Sequence, residues 1–171
     1  KGLYDAAIAD YNKAIEIKPD FYQAYYDRGL LYGDNGEYDK ALIDYTKALE
    51  INPKFVKALN NRGLVYSQKG LYDQAISDYN KALKISSKDA VIFFNRGRAY
   101  QEKGQYDKAI SDFDKILEIN PKNAKTLYCR GGAYYQKGQY DQAISEFTKA
   151  LEIDPKYKEA YNDRGFVFFK K

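Results

Sequence analysis

The sequence predicts an all-α fold, a solenoid of antiparallel helix pairs stacked one on the next, and three observations predict it. An eighteen-residue stretch, GEYDKALIDYTKALEINP at residues 36–53, occurs five times, its copies beginning at Gly2, Gly36, Gly70, Gly104 and Gly138. Each copy starts 34 residues after the one before, without insertion. A second block lies between the copies at the same period and ends in Arg-Gly at 28–29, 62–63, 96–97, 130–131 and 164–165. Within the first copy, Ala7, Ile8, Tyr11, Ala14 and Ile15 fall at the spacing of one helical face. A unit this short cannot bury its apolar face alone, so a fixed period in this range means neighbours stacked in an array.

Taken in order, residues 1–21 hold the second helix, B, of a repeat whose first helix, A, is missing. Full repeats follow at 22–55, 56–89, 90–123 and 124–157, and residues 158–171 hold a further helix A. All of this reads as a single array over 1–171. Helix A should end near the glycine of Asn35-Gly36, Lys69-Gly70, Lys103-Gly104 and Lys137-Gly138, since glycine takes the left-handed conformation that closes a helix. Asp39, Asp73, Asp107 and Asp141 then occupy the first turn of helix B, where a negative charge suits the dipole. Pro19, Pro53, Pro121 and Pro155 cannot continue helix B and suit the start of the next helix. Ser86-Ser87 stands in their place once and is expected to cap the following helix.

The aromatics recur in register. Tyr4, Tyr38, Tyr72, Tyr106 and Tyr140 share one place; Tyr11, Tyr45, Tyr79, Phe113 and Phe147 share another. With Tyr25, Phe93 and Tyr161 they are expected to fill the space between helices, because an amphipathic stripe is first a packing face.

Composition narrows the function. The 28 basic and 24 acidic residues leave a net charge of +4 spread along 171 residues, too balanced for a polybasic nucleic-acid or membrane surface. No apolar run approaches the ~20 residues of a membrane-spanning helix, and no secretory signal is visible. There is no histidine, so the one cysteine, Cys129, has no imidazole to activate it, and no His/Cys metal cluster can form. Neither catalysis nor a cofactor is expected. With no methionine, and with Lys1 and Lys171 at the same repeat place, the chain reads as a section of a longer array.

An arginine stands before each repeated glycine, at 28, 62, 96, 130 and 164, and every helix B carries an acid at one place: Asp10, Asp44, Asp78, Asp112 and Glu146. Arg62 lies eight residues before Gly70 and Asp78 eight after it, which puts the two level in an antiparallel pair. Asp44 on the preceding helix B is about equally level, and the sequence does not choose. An arginine–carboxylate ladder is expected, since a half-buried arginine needs a partner; a phosphate-binding line of arginines is the functional alternative.

The 34-residue period and its residues resemble the tetratricopeptide repeat (TPR) family over the whole chain. The small residue of the family pattern is Gly29, Gly63, Gly97, Gly131 and Gly165, and an aromatic follows at Tyr32, Tyr66, Tyr100, Tyr134 and Phe168. Ala7, Ala41, Ala75, Ala109 and Ala143 fill one alanine place; Ala14, Ala48, Ala82, Ile116 and Ala150 stand at another. The five arginines depart from the pattern, which has an apolar residue there. The resemblance implies a right-handed superhelical solenoid whose helices A line a concave groove that holds a peptide from a partner.

Carried over place by place, the groove should include Tyr26, Lys57, Asn60 and Asn61, then Phe94, Asn95 and Arg98, then Lys125, Tyr128 and Tyr135. The two-carboxylate clamp that grips the C-terminus of heat-shock proteins needs Lys, Asn, Asn, Lys and Arg over three helices A. The best window offers Asn60, Leu64, Asn95, Lys125 and Cys129, so the clamp is absent. Asn61 and Asn95 instead share a place where asparagine lines the groove of some family members, and an amide that donates and accepts can hold peptide backbone. The expected partner is thus a protein or peptide, with neither nucleic acid nor membrane; an RNA-binding helical repeat and a self-stacking rod are the alternatives. Docking of the last helix A on the first helix B of another molecule, head to tail, is expected in crystals.

Overall fold

The computed structural model describes residues 2–171. Its ten helices are α1 (Gly2–Ile17), α2 (Tyr22–Asp34), α3 (Tyr38–Ile51), α4 (Val56–Gln68), α5 (Tyr72–Ile85), α6 (Ala90–Glu102), α7 (Tyr106–Ile119), α8 (Ala124–Gln136), α9 (Tyr140–Ile153) and α10 (Lys158–Lys170). The expected all-α class is what the chain adopts, with helices in sequential antiparallel pairs. Contacts gather them into two compact units, one ending at Ser87 and the other spanning Lys88–Lys171. In the first, α2 pairs with α3 and α4 with α5, with α1 against α2 and α3 against α4. In the second, α6 pairs with α7 and α8 with α9, with α7 against α8 and α9 against α10. Lys1, whose repeat place was matched to that of Lys171, lies outside the described residues.

The A–B turn forms as its residues demand. Gly36, Gly70, Gly104 and Gly138 have φ between 70° and 76°, a conformation a Cβ would strain. In the first of these turns the Asn35 and Glu37 N–H groups reach back to the Leu31 and Tyr32 carbonyls at 3.1 and 2.8 Å, which satisfies the last carbonyls of α2.

Two expectations about helix starts are corrected. The prolines do not open helix A; Pro19, Pro53 and Pro155 sit inside a tight turn closed by Phe21 N–H to the Lys18 carbonyl at 3.0 Å, and likewise by Phe55 to Asn52 and Tyr157 to Asp154, both 3.1 Å. Proline's fixed φ suits the second position of such a turn. Nor does Ser86-Ser87 cap α6: the Asp89 carboxylate does, accepting from Val91 N–H at 3.0 Å and Ile92 N–H at 3.3 Å. Asp89 stands next to the first helical residue, where its oxygen can reach those donors.

The core sits between A and B helices, and its key is a ring against a glycine. A Cβ on Gly63 would lie 2.6 Å from Tyr79 Cε1, and one on Gly97 would lie 2.8 Å from Phe113 Cε1. Gly29 against Tyr45 and Gly131 against Phe147 repeat the contact. Tyr45, Tyr79, Phe113 and Phe147 are accordingly fully buried. The other aromatic place is shallower: Tyr38, Tyr72, Tyr106 and Tyr140 are half-buried. Tyr161 also departs from expectation, at 49 % exposed: α10 packs on α9, the helix B of the repeat before it, and no helix B of its own repeat lies among the described residues.

Candidate functional site

The arginines are structural, and the geometry chooses their partner. Arg62 gives Nε and Nη2 to the two oxygens of Asp78 at 2.7 and 2.8 Å, so the fork closes within its own repeat. Arg28 holds Asp44 and Arg96 holds Asp112 in the same two-bond geometry; Arg130 puts both donors on one oxygen of Glu146. The hydrogen bonds to Asp44 and Asp112 hold the Arg28 and Arg96 guanidinium groups above the ordinary arginine range, against the opposite pull of burial. Burial pushes the Asp112 carboxyl up, against the pull of Arg96.

A second arm went unseen in the sequence. Nη1 of Arg28 reaches back to Asn12, that of Arg62 to Thr46, that of Arg130 to Asp114 and that of Arg164 to Thr148, each 16 residues upstream. Each of these arginines therefore ties its own repeat to the one before. With Nε, Nη1 and Nη2 of Arg28, Arg62 and Arg130 all engaged, those three do not present a phosphate-binding line.

The ten residues expected to line the groove all lie on helices A and none is fully buried. In the first unit, Asn61 Nδ2 donates to the Tyr26 hydroxyl at 3.1 Å and Asn60 Nδ2 to Asn61 Oδ1 at 3.1 Å, which joins three of them in one line from α2 to α4. Lys57 on α4 acts on Asp27 of α2, countering the burial that pushes the Asp27 carboxyl up. Tyr26 rests on Phe55 at 4.8 Å between ring centroids, an aromatic from the turn ahead of α4 that the sequence reading passed over.

In the second unit, Lys125 Nζ stands 4.8 Å from the centre of the Phe94 ring, a cation–π contact from α8 to α6. Asn95 lies half-buried on α6. The Tyr128 hydroxyl donates to Asp163 Oδ2 at 2.6 Å, joining the same two repeat places, 35 residues apart, that Tyr26 and Asn61 join in the first unit. Burial and then that carboxylate push the Tyr128 phenol well above the ordinary tyrosine range. Gln101 Nε2 donates to the Cys129 carbonyl at 2.9 Å. Cys129 itself is buried, and burial pushes its thiol up despite Arg98 and Lys125 nearby, so it is no reactive thiolate.

These helices border an open cavity of about 390 Å³, whose wall includes Arg98, Gln101, Tyr106, Tyr128, Gly132 and Asp163. Gly132 forms open floor: a Cβ there would meet nothing nearer than Gln101 Nε2 at 3.8 Å. Tyr135 lies outside it, stacked on Tyr140 at 5.8 Å and edge-on to Phe166 at 5.9 Å. Gln101, Gly132, Asp163 and Tyr106 line the cavity without standing among those ten residues, and Tyr106 occupies a repeat place that the sequence assigns to packing. In the first unit a hollow of about 540 Å³ around Ile43 and Lys47 has the Arg28–Asp44 pair in its wall and belongs to the ladder.

A model described as the tetratricopeptide repeat matches residues 22–55, 56–89 and 90–123. The chain belongs to the tetratricopeptide repeat family. Two further TPR models cover residues 1–36 with 131–171, and 113–145. None of the curated proteins compared matches this TPR chain. Among solved structures it is similar to MamA, at 27% identity over 93% of this chain and 93% of the other, with a TM-score of 0.86. It is similar to YrrB, a TPR protein with an unusual peptide-binding site, at 25% identity over 96% and 84%, TM-score 0.88. A tetratricopeptide repeat protein from Parabacteroides merdae matches at 28% identity over 99% of this chain and 67% of the other, TM-score 0.90. TPR proteins are in general protein-interaction scaffolds, typically without catalysis. Among the described residues no helix is long and apolar enough to cross a membrane.

Proposed function

We propose that this TPR array is a non-catalytic interaction module whose helix-A faces hold an extended peptide or protein segment. The observation that carries the reading is the cavity between α6, α8 and α10, with a glycine floor, an aromatic wall at Tyr128 and a cation, Arg98, at its edge. A glycine floor lets a ligand's backbone approach closely. Tyrosine gives contact area at low entropy cost. The amides of Asn60, Asn61 and Asn95 can donate and accept at once and so suit a peptide backbone. YrrB, whose fold this chain shares at a TM-score of 0.88, lends analogy.

The test uses peptides selected by display against the chain. Gly132→Leu fills the cavity floor, and Asn95→Ala removes a backbone-holding amide of the same unit. Each should weaken a selected peptide at least about tenfold, the scale of one or two lost hydrogen bonds in a buried contact. Binding should survive raised salt, which a phosphate-held RNA would not. Unchanged affinity in all these variants would move the site off the helix-A faces.

A further inference from the structure

Two arginines stand two residues apart on α6 and are used differently. Arg96 sets Nη2 and Nε on the two oxygens of Asp112 at 2.6 and 2.8 Å. Arg98 meets one carboxylate among the described residues, that of Glu102 four residues on along the same helix, at 3.5 Å, with both side chains about half exposed. An exposed pair of this kind contributes little. Nor does the fold require a cation at this place, which holds Leu30, Leu64, Gly132 and Phe166 in the other copies.

Arg98 shares the cavity wall with two acids, Glu102 and Asp163. Both oxygens of Asp163 already have a donor, the Tyr128 hydroxyl at 2.6 Å and the Asn162 amide at 3.1 Å. Gln101 Nε2 is likewise committed, to the Cys129 carbonyl at 2.9 Å. The Arg98 guanidinium carries five N–H donors in a fork whose geometry matches a carboxylate. Lys125 brings a second positive charge from α8, its Nζ 4.8 Å from the centre of the Phe94 ring. Both cations oppose the burial that pushes the Cys129 thiol up, so they act on one spot between α6 and α8.

We propose, resting on the reading that the helix-A faces hold a peptide, that the segment bound by the second unit carries a carboxylate, from an acidic side chain or from its own C-terminus, and that Arg98 receives it with Lys125 as the second charge. The incoming carboxylate takes the guanidinium from Glu102, which returns to water at small cost because it is already half exposed. The neighbouring backbone of the segment passes over Gly132, where no Cβ stands in its way, and lies against Tyr128. Arg98 thereby decides which segment is taken, while the glycine floor and the aromatic wall accept any backbone. A single charge pair at the cavity's edge keeps the salt dependence shallow, unlike a row of phosphates.

A random peptide library displayed with free C-termini and selected on the 171-residue chain tests the proposal. The selected peptides should share an acid at one position or require the free C-terminus. Replacing that acid by its amide counterpart, and separately amidating the C-terminus, tells the two carboxylates apart; loss of the one in use should weaken binding about tenfold. Arg98→Leu puts there what α2 and α4 carry, so the chain should stay helical by circular dichroism while the same peptide weakens about tenfold. Arg98→Lys should keep part of the affinity, as a charge without the fork. Arg98→Leu combined with the altered peptide should lose no more than either change alone, since one contact can be lost only once. Selection on R98E should abolish the demand for a carboxylate. Peptides that Gly132→Leu weakens but that share no carboxylate, or that bind Arg98→Leu undiminished, keep the cavity as the site and overturn the role of Arg98. So do two losses that simply add. A library that yields no binder removes peptide capture itself, and the carboxylate with it.

Discussion

Arginine where TPR sequences have an apolar residue changes what the repeat needs. Arg96 lies in a half-buried position with Nε and Nη2 on Asp112, itself buried. Arg96→Ala leaves that carboxylate buried without its cation and should cost about 1–3 kcal/mol in denaturant unfolding. Arg96→Leu should cost less, because its side chain restores apolar packing where the family has it. Arg96→Leu with Asp112→Asn, which removes the stranded charge as well, should recover most of the loss. If alanine and leucine prove equally mild, the pair contributes little and the ladder is ornament on a core that Gly97 and Phe113 already define.

At the scale of the element, helix A begins in two ways. Asp89 and Asn123 cap α6 and α8 with side-chain oxygens, Asn123 accepting from Thr126 N–H at 3.0 Å. Phe21, Phe55 and Tyr157 hold the same place without a cap bond. Two of these three rings pack instead on the previous helix A: Phe55 on Tyr22 and Tyr26, Tyr157 on Tyr128. The helix B that lacks a preceding helix A, α1, is tied to the start of α3 by the hydrogen bond from Tyr4 to Glu37. Lys40 first, then Tyr4 and Asn35, hold the Glu37 carboxyl at about 2, below its ordinary 4.5, and the bond to Glu37 pushes the Tyr4 hydroxyl up to about 12. A depressed carboxyl stabilises fully above its unfolded value and loses that contribution as pH falls through the folded one. Protection of α1 amides should therefore drop between about pH 5 and about pH 2.5 while α3 keeps its own, and Glu37→Gln should flatten the difference. Equal protection of α1 in both conditions would show that Glu37 does not hold it.

For the molecule as a whole, burial sets a gradient of stability. Helices α5 and α7 each bury six residues, α10 buries Ala160 and Val167, and α1 buries none. In a repeat protein each unit is held by its neighbours, so native-state hydrogen exchange should rank α5 and α7 slowest, then α10, with α1 fastest. Uniform exchange would mean that the array opens as one block. The helices, the glycine turns from helix A to helix B and the rings that fill the core were legible because each repeats at 34 residues and needs only local chemistry, whereas the turns from B to the next A were misjudged. The bonds that shape the groove were not legible. Gln101 to the Cys129 carbonyl and Tyr128 to Asp163 depend on how one helix A is rotated against the next. Tyr106 shows the cost of reading by place alone, since one side chain serves both the packing and the cavity wall. The two arms of the arginine carry a meaning for how such a chain grows. Arg28 and Arg62 each reach 16 residues forward and 16 back, a span that fits inside one 34-residue period. A tandem duplication of that length would copy the bolt together with both of its holes, so a gene can lengthen or shorten this array by whole units without a second, compensating mutation.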